Sequence, residues 1–172
     1  GDASLGYAGF LNNAAVANVS NVPNGASSSP LWTAKTPDEI LTDINAQIVS
    51  TWTASGWAVM PNRILLPPSQ FGYISTKTVS TAGNVSILKY VLENNVLKTS
   101  GKGDLTILPV KWALGAGAGG TLGTSGTVDR MMAYNKDKKY LRFPMTSLSK
   151  TPIQYDSLYH KTTYFGKLGV TE

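Results

Sequence analysis

The sequence contains no cysteine and a single histidine among its 172 residues. The absence of cysteine excludes disulfides, thiolate catalysis and every cysteine-based metal site. His160 lies in Tyr159-His160-Lys161-Thr162, a pattern typical of a strand, without an adjacent carboxylate. A histidine without such a neighbour or a second ligand is poorly suited to act as a base or to bind zinc. We therefore expect His160 to be a surface residue, and we assign no metal and no cofactor.

Positive charge is also scarce in the first part of the chain, where no Lys or Arg precedes Lys35. Residues 1–60 carry that one basic side chain against four acidic ones, a net charge of −3, whereas residues 61–172 carry 14 basic and 6 acidic ones, a net charge of +8. This asymmetry is compatible with contact to nucleic acid or to an acidic neighbour, and equally with an ordinary lysine-rich soluble surface. We expect neither a secretory signal nor a membrane span, since no apolar run approaches roughly 18 residues.

Catalytic constellations are missing as well, because most of the acidic residues have a structural explanation. Asp38 and Glu39 belong to a helix start, Asp43 to the wet face of that helix, Asp104 and Asp129 to strand entries, and Asp137 to a turn. Folding could still bring Glu93 close to Asp104. No carboxylate pair predicts a glycosidase or a metal centre. We therefore predict no catalytic residues and a protein that is not an enzyme.

The most distinct element that is present is a long amphipathic helix over residues 36–55. Thr36 predicts the N-cap, Pro37 suits the first helical position, and Glu39 completes a Thr-x-x-Glu capping box. Apolar residues recur every four positions at Ile40, Ile44, Ile48 and Trp52. This spacing predicts one buried and one exposed face. Gly56 predicts the end of the helix after about 20 residues, or roughly 30 Å.

Shorter elements follow this helix, and together they predict an α+β fold with a mostly antiparallel sheet. The predicted elements are a strand over 63–66, a brief helix over 69–75, a helix over 85–95 capped by Asn84, a strand over 104–110 that continues through Lys111-Trp112, a hairpin of 128–134 with 140–145, and a long strand over 153–170. No internal repeat is visible.

A glycine-rich segment occupies residues 115–126, with glycines at Gly115, Gly117, Gly119, Gly120, Gly123 and Gly126. Its first half matches the glycine fingerprint of dinucleotide sites and follows a predicted strand. That fingerprint requires a helix next, but the sequence continues into a strand pattern. We therefore interpret the segment as a mobile loop. A nucleotide-dependent enzyme is the less favoured alternative, which would require saturable nucleotide binding that Gly117→Val abolishes.

The densest basic cluster consists of Lys136, Lys138, Lys139 and Arg142, beside Tyr134 and Tyr140. One hypothesis is a non-specific nucleic-acid-binding module that contacts phosphates through this cluster. The other is a solvated hairpin tip whose lysines protect a sheet edge.

Several short landmarks, taken together, resemble one family over nearly the whole chain from about Tyr7. They are Gly9-Phe10-Leu11-Asn12, Thr36-Pro37-Asp38-Glu39-Ile40-Leu41, Leu65-Leu66-Pro67-Pro68-Ser69-Gln70-Phe71, Pro109-Val110-Lys111-Trp112, Asp129-Arg130-Met131-Met132-Ala133-Tyr134, Arg142-Phe143-Pro144-Met145, Thr151-Pro152-Ile153 and Thr163-Tyr164-Phe165-Gly166. In order and spacing these resemble the major capsid proteins of tailed phages, with the Hong Kong ninety-seven-like fold that encapsulin shells share. Each motif alone is short.

The resemblance implies a fold with a long spine helix and with peripheral and axial subdomains. Residues 1–59, the N-terminal strip and spine helix, and the return strands of 144–172 would form the peripheral subdomain, and 60–143 the axial one. The glycine-rich segment would be an inter-subunit loop, and the basic cluster would contact a neighbour or a polyanion.

By the same resemblance, the function would be self-assembly into an icosahedral phage or prophage head enclosing DNA. The partners would be copies of the chain in hexamers and pentamers, with packaged DNA bound non-specifically and no membrane. The location would be the virion, after assembly in the bacterial cytoplasm. Family members carry an N-terminal arm and an extended loop before the Gly-Phe-Leu-Asn landmark. We therefore expect residues 1–172 to be a core fragment that does not assemble alone.

Overall fold

The computed structural model describes residues 20–80, 82–117, 128–142 and 146–166. The described residues up to Lys136 belong to one compact unit, and those from Asp137 onward to a second. Within the described residues, the first unit contains four α-helices and a three-stranded sheet, and the second contains a pair of two-stranded sheets. Three of the four strand pairings in this described part of the chain are antiparallel, so the predicted α+β class with a mostly antiparallel sheet is confirmed.

The long helix α1, Pro37–Ala54, organises the first unit and begins with the predicted capping box. The Thr36 Oγ1 accepts from the Glu39 N–H at 3.3 Å, and the Glu39 carboxylate accepts from the Thr36 N–H at 2.7 Å. The carboxylate also accepts from the Ala26 N–H at 2.6 Å. The bond from Ala26, and then that from Thr36, hold the pKa of Glu39 below its ordinary value. The helix ends before Gly56, whose φ of +64° suits glycine.

The other elements of the first unit follow α1 in short succession. They are β1 Arg63–Leu66, α2 Pro68–Thr76, α3 Ile87–Asn94, α4 Val96–Thr99, β2 Thr106–Pro109 and β3 Met132–Tyr134. The strand β1 is central, with β2 parallel on one side and β3 antiparallel on the other. Ile64 therefore lies opposite both Ile107 and Ala133. Pro109 belongs to an edge strand, as predicted, because proline cannot complete a ladder.

The core of the first unit lies between α1, the shorter helices and the sheet. Its fully covered side chains come from almost every element and include Ile40, Ile44, Ile48, Ile64, Leu66, Ile74, Val91 and Leu97. Each such side chain contributes about 1.5–3 kcal/mol relative to exposure. The apolar face predicted for α1 is thus its buried face, and β1 is covered on both sides because Leu65 is also buried.

The helix predicted over 85–95 differs from the observed one in its N-cap and in its length. Asn84 has a φ of +46° and is not the cap; the Ser86 side chain instead accepts from the Lys89 N–H at 3.3 Å. Asn95 interrupts the helix because its side chain accepts from the Lys98 N–H at 3.0 Å and so caps α4. An asparagine that can cap a new helix competes with continuation of the old one.

Two features next to the sheet differ from the predictions. Residues Lys111–Ala113 form a 3₁₀ turn and do not continue β2. Among the described residues, β3 pairs with β1 and with no other strand. Of the partner predicted for it, residues 140–145, residues 143–145 lie outside the described residues. A bond from the Tyr140 N–H to the Asp137 carbonyl, at 3.0 Å, closes a turn instead of a hairpin strand. The apolar β1 offers β3 a buried partner.

In the second unit, the predicted long strand over 153–170 is divided. Gln154–Asp156 forms β5 and Tyr159–Lys161 forms β6, and the two make an antiparallel hairpin. Ser157 supplies the turn with a φ of +56°. The strands β4, Ser149–Lys150, and β7, Tyr164–Phe165, pair with each other. Residues 167–170 of the predicted strand lie outside the described residues.

Candidate functional site

The two ends of the glycine-rich segment are held together by backbone hydrogen bonds. The Gly117 N–H donates to the Val128 carbonyl at 2.7 Å, and the Arg130 N–H donates to the Ala113 carbonyl at 2.9 Å. Gly117 is required by this close approach, because a Cβ there would lie 2.6 Å from the Val128 carbonyl oxygen. Of the predicted glycines, Gly119, Gly120, Gly123 and Gly126 lie outside the described residues.

Asp129 ties this loop base to helix α2. Its Oδ1 accepts from the Gly115 N–H at 2.9 Å, and its Oδ2 accepts from the Gln70 Nε2 at 2.7 Å. Gly115 has a φ of +59°, which presents its N–H to the carboxylate at no steric cost. From its sequence context, Asp129 is predicted only to mark a strand entry. Its partner Gln70 is 59 positions away, so no local pattern could identify the cross-link.

The same contacts weaken the dinucleotide alternative. A phosphate cradle binds its ligand through backbone N–H groups that are directed at the ligand. The Gly115 and Gly117 N–H groups are instead used by Asp129 and Val128. The described part of the fingerprint therefore serves to close a loop.

The four residues of the predicted basic cluster are all exposed. Lys136 belongs to the first unit, where its N–H donates to the Asn62 side chain at 2.9 Å. Lys138, Lys139 and Arg142 belong to the second unit. Within that unit, the Lys139 ammonium lies 5.4 Å from the centre of the Tyr140 ring, and the Arg142 Nε donates to the Lys138 carbonyl at 3.2 Å.

The second unit exposes large apolar side chains, a feature that the sequence analysis did not identify. None of its described residues is buried. Leu158 is 92% exposed and Tyr155 82%. The other large apolar side chains exposed among the described residues of this unit are Tyr140, Leu148, Ile153, Tyr159, Tyr164 and Phe165. Two-stranded sheets need packing against another element to be stable, and exposed apolar surface is typical of protein interaction sites.

Asp43 was predicted on the wet face of α1, but it is buried. Its Oδ2 accepts from the Lys35 Nζ at 2.6 Å and from the Trp32 Nε1 at 2.9 Å. The Lys35 Nζ also donates to the Pro23 carbonyl at 2.7 Å. No buried side-chain nitrogen or oxygen among the described residues lacks a hydrogen-bond partner. The network is therefore a structural link between α1 and the chain that precedes it.

The remaining titratable groups of the described residues form no metal-binding cluster. Glu93 and Asp104 do come together, but through Lys98, whose Nζ lies 2.9 Å from Glu93 and 3.7 Å from Asp104. The Glu93 carboxylate, more than Asp104, raises the pKa of Lys98. His160 lies exposed on β6, as predicted. No helix in the described ranges is both long and apolar enough to cross a membrane.

Comparison with known proteins identifies a family and a similar fold. A model described as "Major capsid protein" matches residues 1–172. A solved structure, the capsid of Myoviridae phage XM1, is similar with a TM-score of 0.61 and 20% sequence identity. The match covers 88% of this chain and 46% of that chain, so this chain spans about half the length of the solved one. Among curated proteins, no match was found.

Proposed function

Because this chain belongs to the major capsid protein family, we propose that it is a shell subunit that assembles with copies of itself into the icosahedral head of a tailed phage or prophage. The family match over residues 1–172 carries this proposal, and the similarity of fold to a phage capsid supports it. The role is structural and not catalytic. The subunit would assemble in the bacterial cytoplasm and reside in the virion, without a membrane partner.

We propose that the assembled subunit has a peripheral and an axial subdomain. Residues 1–59 and 144–172 would belong to the first, and residues 60–143 to the second. Helix α1 supports a role as the spine of the peripheral subdomain, since it begins with a capping box and buries one continuous apolar face.

The glycine-rich segment from Gly115 to Gly126 is proposed as an inter-subunit loop. Its anchored base supports this role, because Asp129 and Gly117 fix where the segment leaves and re-enters the first unit. A fixed base limits the positions that a connecting segment can reach, which lowers the entropic cost of a contact with a neighbour.

The exposed apolar side chains of the second unit are proposed as a second contact with neighbouring copies. Tyr155, Leu158 and Tyr159 lie on or next to one hairpin and would be covered in hexamers and pentamers. Contacts that are weak singly become strong when many act together in a closed shell.

The basic cluster of Lys136, Lys138, Lys139 and Arg142 is proposed to contact packaged DNA without sequence preference, or an acidic neighbour. The competing hypothesis, a separate nucleic-acid-binding module, has no support from the comparisons. Phosphate contacts can be recognised by their salt dependence, because each one releases condensed counterions.

Assembly is tested by expressing, in bacteria, the full reading frame that contains residues 1–172. We expect closed particles in light scattering and negative-stain microscopy of the purified product. A product that stays monomeric at every concentration and ionic strength would contradict the proposed function.

The role of the basic cluster is tested with Lys136→Gln, Lys138→Gln and Lys139→Gln combined. Particles that form normally but retain less nuclease-protected DNA would assign the lysines to DNA. Loss of particles would assign them to a neighbouring subunit. Normal particles with normal DNA content would show that the cluster is a solvated surface only.

A further inference from the structure

The end of α1 presents an exposed tryptophan in a strained backbone conformation. Trp57 has a φ of +65° and follows Gly56, which has a φ of +64°. Glycine adopts this region freely, whereas a bulky side chain there is a rare outlier. The Trp57 side chain is nevertheless 55% exposed, so its own burial contributes little to offset the strain.

The surrounding turn holds Trp57 in this conformation. The Trp57 N–H donates to the Trp52 carbonyl at 3.0 Å, and the Trp52 Nε1 donates to the Trp57 carbonyl at 2.7 Å. The two indole rings meet edge to face, with centroids 4.7 Å apart and planes at 81°. The Ser55 hydroxyl donates to the Trp52 carbonyl at 2.7 Å and accepts from the Val59 N–H at 3.0 Å. These hydrogen bonds connect the end of α1 to the residues on either side of Trp57.

A cation lies beside these rings. The Lys102 Nζ lies 4.4 Å from the centre of the Trp52 ring. The neighbouring Trp57 remains exposed to solvent. An exposed, rigid tryptophan next to a cation has the composition of an interface hot spot, because little side-chain entropy is lost when a partner covers it. Strain that a fold retains at an exposed site is characteristic of a functional position.

From this geometry we infer that Trp57 is a hot-spot residue in the contact with a second copy of this chain. The inference rests on the proposed function, since membership of a capsid family makes another copy the partner. The covering surface on that copy would offer apolar area to the Trp57 ring and an acceptor to Lys102.

The test uses Trp57→Gly and Trp57→Asn in the full reading frame. Both residues tolerate a φ of about +60°, so the backbone of the turn is retained while the indole is removed. We expect the association constant between subunits to fall about thirtyfold or more, as for a central interface tryptophan. We expect the thermal midpoint of the dissociated subunit to stay within a few degrees, because the loss of ring packing is offset by relief of strain.

The matched control is Leu31→Ala, which removes another exposed apolar side chain, 61% exposed, from a residue with an ordinary φ of −72°. Sedimentation velocity over a concentration series measures association, and circular dichroism measures the midpoint. Unchanged association in both Trp57 variants would overturn the inference. So would an equal loss in Leu31→Ala, or a large fall in the midpoint that accompanies the loss. If the unmodified protein itself fails to associate, the proposed function fails, and the inference with it.

Discussion

The Asp43 carboxylate is the centre of a buried polar network in the first unit. The side chains of Lys35 and Asp43 are 1% and 3% exposed, and their charged atoms lie 2.6 Å apart. A buried pair is not by itself a large source of stability, because both charges lose their hydration. The two charges instead depend on each other, because removing one would leave the other buried without a partner.

We predict that Lys35→Met destabilises the protein by about 3–5 kcal/mol, because it leaves the Asp43 charge buried without its partner. Urea unfolding followed by circular dichroism measures the change. The control is Lys35→Met combined with Asp43→Asn, which removes both charges and keeps an oxygen that can accept from the Trp32 Nε1. The double variant should recover most of the loss. A single variant within about 1 kcal/mol of the unmodified protein would contradict the prediction.

At the scale of elements, short segments are joined by a small number of specific contacts. The loop base around Gly117 is one such junction, since it brings residues on both sides of the glycine-rich segment to within hydrogen-bond distance. The turn after α1 is another. In both, a glycine occurs where a side chain would clash or where the backbone has a positive φ.

We predict that Gly117→Ala destabilises the first unit by about 1–3 kcal/mol, because the added Cβ would lie too close to the Val128 carbonyl and would force the loop base apart. Differential scanning calorimetry measures the effect. The matched control is Gly72→Ala in α2, where nothing lies within 4 Å of the added Cβ. Since alanine is the better helix former, we expect Gly72→Ala to stabilise by about 0.5–1 kcal/mol. Equal effects at the two positions would refute the steric explanation.

On the scale of the whole molecule, buried apolar residues are unequally divided between the two units. The buried core residues all belong to the first unit. The described residues of the second unit include none that is buried. Local stability follows burial, so the two units should open with very different free energies.

Hydrogen exchange of the unassembled subunit tests this difference. We predict that the amides of β1 and the centre of α1 are the most protected, and that those of β5 and β6 exchange with little protection. After assembly, the hairpin of β5 and β6 should gain protection if it contacts neighbours as proposed. Strong protection of this hairpin before assembly would contradict the prediction.

Much of the fold is determined by neighbours in the sequence. The capping box of Thr36 and Glu39, the four-residue spacing of the isoleucines and the stop at Gly56 are interactions over at most one helical turn. Such interactions depend only on local geometry, and α1 was therefore predicted within about two residues at each end. The order of short landmarks likewise identified the family, which the match over residues 1–172 confirms.

Other features were decided only by tertiary structure. The strand β3 pairs with β1, about 70 positions away, because β1 offers a buried edge. Asp43 has the polar neighbours of an exposed helix face, yet it is covered because Lys35 and Trp32 reach it from outside α1. The same holds for Asp129 and Gln70. Burial and long-range hydrogen bonds depend on which elements meet in space, and no short window of sequence contains both β3 and β1, or both Asp129 and Gln70.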